Sequence, residues 1–145
     1  MQIQYPLDEN IILTNEFSGE DYRNIQDFLT TSYWAKGRNL KKTVQSFENS
    51  HSFIVKTTQG ELVGTMRLIT DTCVFAYIAD VFVMEKYRGK KIAEWMVRTV
   101  MEMPEYEGVE RWMLATMDAS HFYEKFGFGP MSIPDWMMDY RPAPP

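Results

Sequence analysis

Cysteine and histidine are scarce in this sequence of 145 residues, which contains only Cys73, His51 and His121. A single cysteine cannot form an internal disulfide, and so few thiols and imidazoles do not supply the ligand spacing of a zinc site. We therefore expect no metal. No apolar run approaches the roughly twenty residues needed to cross a bilayer, and the first residues lack the order of a signal peptide. These absences predict a cytoplasmic protein without membrane contact.

Positive charge is also in the minority, with 15 Lys and Arg against 20 Asp and Glu, a net charge of −5 and a pI near 5.0. Broad nucleic-acid binding usually needs a basic face, so it is not expected. The length suits one domain with a real core and is too short for two of ordinary size. We expect a single domain over residues 1–145, with a loose tail at about 141–145.

Hydrophobic periodicity predicts the elements of the first half. A strand near residues 11–13 precedes a helix that Ser18 and Asp21 would cap, and a shorter helix follows at about 40–47. Two strand-like runs then flank Gln59 and Gly60, the pattern of an antiparallel hairpin. The apolar run "TCVFAYIADVFV" continues as a long strand.

The second half alternates between helical and extended patterns. A helical pattern begins near Lys90 and stops at Pro104, and "RWMLAT" then reads as a strand. "DASHFYEKF" predicts a short helix that ends at Gly127, and "GFGPMSIPDWMMDY" predicts a final extended segment. The order predicts an α/β fold with a mixed, mostly antiparallel sheet flanked by helices.

Four cations, Lys86, Arg88, Lys90 and Lys91, lie directly before the helix that begins near residue 92. A helix N-terminus carries roughly half a positive charge, so cations there are disfavoured by a few tenths of a kcal/mol each. The backbone N–H groups of a strand–turn–helix junction, together with these cations, form a site for an anion such as a pyrophosphate. An exposed turn with solvated lysines is the alternative on charge alone.

The segment "DVFVMEKYRGKKIAEWMV" resembles motif A of the GNAT superfamily of N-acetyltransferases, where a strand leads into Arg/Gln-x-x-Gly-x-Gly/Ala. The resemblance implies that the loop amides bind the pyrophosphate of acetyl coenzyme A (acetyl-CoA). Lys91 stands where the family usually has its inner glycine, and its side chain either crowds the phosphates or adds a charge contact. The implied cofactor-binding residues are Val81, Phe82, Val83, Arg88, Gly89, Lys90, Lys91, Ile92 and Ala93.

The segment "LATMDASHFYEKFGF" is similar to motif B of the same family, in which a short helix bears Tyr-x-x-x-Gly-Phe, here Tyr123, Gly127 and Phe128. The resemblance implies that Tyr123 donates to the departing sulfur. It also implies that residues 79–83 splay from residues 111–116. The splayed strands would leave a cleft of unpaired backbone groups for the pantetheine arm.

The reaction implied by the resemblance is acetyl transfer to a primary amine by direct attack in a ternary complex. Asp80 is the candidate for the base or for the ligand of the substrate ammonium, and a hydrogen-bonded structural carboxylate is the alternative. Backbone N–H groups near Phe82 and Val83 are candidates for stabilising the oxyanion. By analogy with the family, Trp34 and Arg67 line the acceptor site, whereas Tyr33 is expected in the core.

Two other functions fit the same loop. Lys91 in the pyrophosphate loop also suits a non-catalytic module that binds or senses acyl-CoA, and the basic residues suit a binder of nucleotide or RNA phosphates. The sequence does not select the amine acceptor, which is a small molecule or a protein. Eleven methionines and four tryptophans are compatible with a homodimer.

Overall fold

The computed structural model of the chain describes residues 1–143, so the last two residues of the predicted loose tail lie outside it. The chain separates into two compact units, Met1–Ala115 and a second unit that starts at Thr116. Within the described residues, no helix has both the length and the apolar character needed to cross a membrane.

The first unit contains one six-stranded sheet whose spatial order follows the chain order. Neighbouring strands from β1 to β5 are antiparallel, and β6 lies parallel to β5 because α3 connects them. This arrangement confirms the predicted mixed and mostly antiparallel sheet. The strands are β1 Gln4–Pro6, β2 Ile11–Thr14, β3 His51–Thr57, β4 Leu62–Thr70, β5 Phe75–Val83 and β6 Arg111–Leu114.

Three helices belong to the first unit: α1 Gly19–Leu29, α2 Leu40–Glu48 and α3 Ile92–Met101. The predicted capping box of α1 is confirmed, since the Ser18 hydroxyl accepts from the Asp21 N–H at 3.1 Å and the Asp21 carboxylate accepts from the Ser18 N–H at 2.8 Å. The Asn39 side chain caps α2 with a single bond, accepting from the Lys42 N–H at 2.8 Å. In contrast, α3 begins without a side-chain cap.

Helices cover both faces of the sheet. Ile54 of β3 lies in the cluster that joins α1 and α2 to one face. Phe53 and Val55 point to the opposite face, because side chains alternate along a strand, and they are 3% and 0% exposed. The remaining helix of this unit, α3, packs against β4 and β5. The cluster on the α1 and α2 face comprises Ile25, Leu29, Ala35, Phe47, Ile54, Leu62 and Phe82.

The second unit contains the short helix α4, Ser120–Glu124, which lies within the predicted helical segment but ends before Gly127. The extended segment predicted after Gly127, expected as a last strand, does not form a strand in the described residues. They form a single 3₁₀ turn at Pro134–Trp136 and otherwise irregular backbone. Pro130 and Pro134 lack the N–H group that a strand ladder requires. The strand β1 was not predicted, and β6 ends at Leu114, two residues before the predicted end.

Candidate active site

A β-bulge lies in the middle of β5, at Asp80. On β4, Thr65 pairs with Phe82 and Arg67 pairs with Ala79, so Met66 alone faces two residues of β5. Asp80 absorbs the extra residue with a φ of 50°, in the left-handed region that Asp tolerates better than most residues. The Thr65 hydroxyl donates to the Asp80 carbonyl oxygen at 2.8 Å and holds the bulge in place.

The bulge directs the Asp80 carboxylate into a cluster of three donors. Its Oδ2 accepts from Arg67 Nε at 2.8 Å and from Arg38 Nη1 at 2.9 Å, and its Oδ1 accepts from the Trp34 indole at 3.0 Å. The Asp80 side chain is only 1% exposed. The structure therefore brings together three residues that the sequence nominated, Trp34, Arg67 and Asp80, and adds Arg38.

Arg67 makes contacts beyond Asp80 through its guanidinium group. Its Nη1 donates to the Ser50 hydroxyl at 3.0 Å, and its guanidinium lies 5.8 Å from the centre of the Phe47 ring. The sequence did not predict that Ser50 and Arg38 belong to this site. The only signal for Arg38 was a cation beside a glycine in "YWAKGRN", which gives no indication of a contact with residue 80.

The connection between α1 and α2 folds tightly and carries Trp34 and Arg38 to the bulge. The Ser32 hydroxyl accepts from the Ala35 N–H, and the Gln26 side chain donates to the Arg38 carbonyl at 2.6 Å. Gly37 adopts a φ of 84°, which costs a glycine little and lets the chain reverse between Trp34 and Arg38. Tyr33 is 47% exposed, so its expected place in the core was wrong.

Beyond the bulge, β5 presents an edge that β6 does not cover. The β5–β6 ladder ends at the pair Ile78 and Leu114, whereas β5 continues to Val83. The Met84 N–H donates to the Val63 carbonyl of β4, so the N–H and carbonyl of Val83 point away from β4. The Asp80 carbonyl accepts from Thr65 of β4, so the Val81 N–H of the same peptide unit also points away from β4. Phe82 directs its own peptide groups toward β4 and stacks its ring on Phe28 at 3.9 Å.

The basic loop follows this open edge directly. Arg88 turns back and donates from Nε to the Val83 carbonyl at 3.0 Å, which joins two of the predicted cofactor-binding residues. Gly89 has a φ of 79°, and Lys91 begins α3 in the left-handed conformation with a φ of 60°. Because no side chain caps α3, its first backbone N–H groups are available to an anion.

Lys86 has a different role from the other cations of the loop. Its ammonium lies 3.1 Å from the Glu61 carboxylate, which also accepts from the Tyr87 hydroxyl at 2.8 Å. The Tyr87 hydroxyl and then the Lys86 ammonium lower the pKa of Glu61 below its ordinary value. These contacts anchor the start of the loop to the β3–β4 turn.

Tyr123 lies in α4 of the second unit and is 9% exposed. Its ring contacts the rings of Phe122 and Phe128 at 5.0 and 6.0 Å between centroids. The Phe128 N–H donates to the Tyr123 carbonyl, so the two ends of the predicted second motif are joined locally.

The sequence profile of the Acetyltransferase (GNAT) family matches residues 15–128. The chain belongs to the GNAT family. A solved GNAT-family structure from Xanthomonas campestris pv. campestris is 30% identical, with a TM-score of 0.84 over 90% of this chain and 92% of that one. The resemblance and the fold class predicted from the sequence are therefore confirmed, and the chain is placed among acetyltransferases.

Two further comparisons agree with GNAT membership. A relative from Gibberella zeae that carries an acetyltransferase name is 32% identical over 71 residues, which are 48% of this chain and 40% of that protein. The chain thus matches less than half the length of this relative. Protein SA2161 of meticillin-resistant Staphylococcus aureus is 20% identical, with a TM-score of 0.72 over 92% of this chain and 99% of that one, and shows the same fold.

Within the GNAT fold, the residues fall into two groups in the first unit. One group surrounds Asp80, and the other runs from Val81 through the basic loop to Ala93. GNAT proteins generally use acetyl-CoA. The second group is the segment whose sequence resembles motif A. Among the described residues, no group of three or more His, Cys, Asp or Glu side chains is arranged to hold a metal ion.

Proposed function

We propose that this GNAT protein transfers an acetyl group from acetyl-CoA to a primary amine by direct attack in a ternary complex. The observation that carries the proposal is the end of the β5–β6 ladder at Ile78, five residues before β5 itself ends at Val83. Backbone groups that a sheet leaves unpaired need a partner, and the amides of a pantetheine arm supply one.

The loop after β5 suits the diphosphate of the same molecule. Gly89 brings the backbone into a turn without a Cβ, and Arg88, Lys90 and Lys91 add positive charge. The uncapped first turn of α3 offers N–H groups and the positive end of the helix dipole. The implied contacts also include Ile92 and Ala93, whose backbone belongs to that turn.

In the proposed reaction, the amine nitrogen forms a bond to the acetyl carbon and the carbon–sulfur bond breaks. An alkyl ammonium with a pKa near 10.4 is only about one part in 2,500 neutral at pH 7, so forming the free amine costs roughly 4.6 kcal/mol. The N–H groups of Val81 and Val83 face the open edge and are the better placed donors for the oxyanion, since Phe82 faces β4. The resemblance to motif B nominates Tyr123 as the donor to the departing sulfur.

Asp80 is proposed to position the acceptor side of the site. Both of its carboxylate oxygens already accept hydrogen bonds, from Arg38, Arg67 and Trp34. Its side chain is also only 1% exposed. This geometry favours the structural alternative over a general base, because a base must be within reach of the substrate proton. Trp34, which is 40% exposed, and Arg67 remain the proposed contacts of the acceptor.

Calorimetric titration with acetyl-CoA, followed by a screen of amines for release of the CoA thiol, tests the proposal. We expect binding of acetyl-CoA and thiol release that depends on the amine. Binding without thiol release from any amine would favour the non-catalytic acyl-CoA module, for which Lys91 in the loop is the motivating feature. Absence of acetyl-CoA binding would contradict both functions.

A further inference from the structure

The cluster around Asp80 contains more positive than negative charge. Arg38 and Arg67 both bond to one oxygen of Asp80, and the third donor, the Trp34 indole, is neutral. Two guanidinium groups therefore share one carboxylate, and the set carries one net positive charge. Unbalanced charge of this kind is costly away from water, so a ligand with one negative charge would stabilise it.

Arg38 is the member of the cluster that reaches the surface. Its side chain is 21% exposed, whereas the side chains of Arg67 and Asp80 are 10% and 1% exposed. Asp80 is the partner described for the Arg38 guanidinium within residues 1–143, and it takes a single nitrogen, Nη1. A guanidinium has five N–H donors in a planar fork, so the outer nitrogens can bind a second carboxylate.

The surroundings of Arg38 are suited to a small organic molecule. Trp34 and Tyr33 are 40% and 47% exposed, and their rings lie 5.2 Å apart in an edge-to-face arrangement. The Trp34 indole and Arg38 bond to the two oxygens of the same carboxylate, so a molecule that contacts the indole lies beside the guanidinium. Asp80 lies in the part of β5 that β6 does not cover, between Ile78 and Val83.

We propose that the amine acceptor of this GNAT protein carries a carboxylate, and that Arg38 selects it. This inference rests on the proposed acetyl transfer. It excludes simple alkyl amines and polyamines as the preferred acceptors. Arg38 is a specificity-determining residue, since it would bind the carboxylate of the acceptor and not the nitrogen that reacts.

An acidic groove elsewhere in the first unit suggests polyamines as the competing class of acceptor. The groove, about 830 Å³ in volume, lies between α1 and the β3–β4 turn and is lined by Glu20, Asp27 and Glu61 among others. A polyamine would fit its charge. The test therefore includes spermidine as well as carboxylate-bearing amines.

The experiment compares matched amines with the unmodified protein and with Arg38→Gln. The pairs are phenylalanine with phenethylamine, and β-alanine with propylamine, and kcat/KM is measured by thiol release. We expect the carboxylate-bearing member to be preferred by about 10-fold or more, and this ratio to fall by at least about 10-fold in Arg38→Gln. Each amine has the same pKa whichever protein it is tested with. The change in the kcat/KM ratio between the two proteins therefore isolates the effect of Arg38.

Two variants control for folding and for general charge. Lys36 is an exposed cation in the same loop, so Lys36→Gln should leave the ratio unchanged. Arg38→Lys keeps the charge but loses the planar fork, and we expect an intermediate ratio. The melting temperature and the acetyl-CoA affinity of each variant show whether it is folded, and Arg38→Lys replaces Arg38→Gln if the latter does not fold.

Equal ratios in the unmodified protein and Arg38→Gln would overturn the inference, as would spermidine being the best acceptor in both. A second measurement keeps the inference separate from the proposed function. If no amine is acetylated, calorimetry of phenylalanine and phenethylamine with the CoA-loaded protein decides it. If the protein binds phenylalanine but not phenethylamine, and Arg38→Gln no longer binds phenylalanine, Arg38 selects the carboxylate even without catalysis. If the protein binds the two amines equally, or binds neither, the inference is contradicted.

Discussion

Arg67 Nε lies 2.8 Å from Asp80 Oδ2, and this bond joins β4 to the bulge of β5 at the centre of the sheet. Replacing Asp80 by Asn would keep the shape of the side chain and remove the charge shared by two guanidinium groups. Breaking a buried ion pair in this way costs about 3 kcal/mol or more. We expect Asp80→Asn to lower the free energy of unfolding by that amount in urea titration.

A matched control for this change is Asp135→Asn, which alters an exposed carboxylate of the second unit. It should leave the stability unchanged within about 0.5 kcal/mol. Equal stabilities of Asp80→Asn and the unmodified protein would show that the cluster does not hold the bulge.

Gly64 of β4 packs closely against the backbone of β5. A Cβ at this position would lie 2.4 Å from the Phe82 carbonyl oxygen, a distance that forces the backbone to move. We expect Gly64→Ala to destabilise the protein by about 1–3 kcal/mol and to weaken acetyl-CoA binding, because the open edge of β5 would shift. Gly108→Ala, which meets nothing within 4 Å, is the control in both the thermal melt and the calorimetric titration. If Gly64→Ala is destabilised but binds acetyl-CoA with normal affinity, the open edge of β5 does not contribute to cofactor binding.

Lys91 adopts a φ of 60°, which glycine adopts without the steric penalty of a Cβ. Lys91→Gly should therefore raise the free energy of unfolding by up to about 1 kcal/mol and preserve or tighten acetyl-CoA binding. Lys90→Gly is the control, since it removes the neighbouring charge at a position without positive φ. A large loss of affinity in Lys91→Gly, but not in Lys90→Gly, would mean that the Lys91 ammonium is itself a ligand.

Tyr123 is nominated as the donor to the departing sulfur by its place in the second motif. If it has this role, Tyr123→Phe should lower kcat by about 100-fold and leave the affinity for acetyl-CoA nearly unchanged. Tyr140→Phe, at a residue that is 86% exposed, is the control. Unchanged turnover in Tyr123→Phe would remove this residue from the mechanism.

The sequence predicted a structural feature correctly where the residues that form it are near one another in the chain. The capping box of Ser18 and Asp21 and the turn at Gln59 and Gly60 are encoded in this way, and both lie where expected. The final segment was wrong because its apolar residues suggested a strand, although its prolines remove backbone donors. The predicted burial of Tyr33 was wrong, because the burial of an aromatic residue depends on which other elements pack over it.

The sequence by itself determined the family and placed the basic loop directly before α3, because both are read from residues that are near one another in the chain. Only the tertiary structure decided how Asp80 is used. Its three partners are 13, 42 and 46 residues away along the chain, and no local pattern links them. The contact exists because the bulge turns the carboxylate toward the connection between α1 and α2, and that direction is set by sheet register.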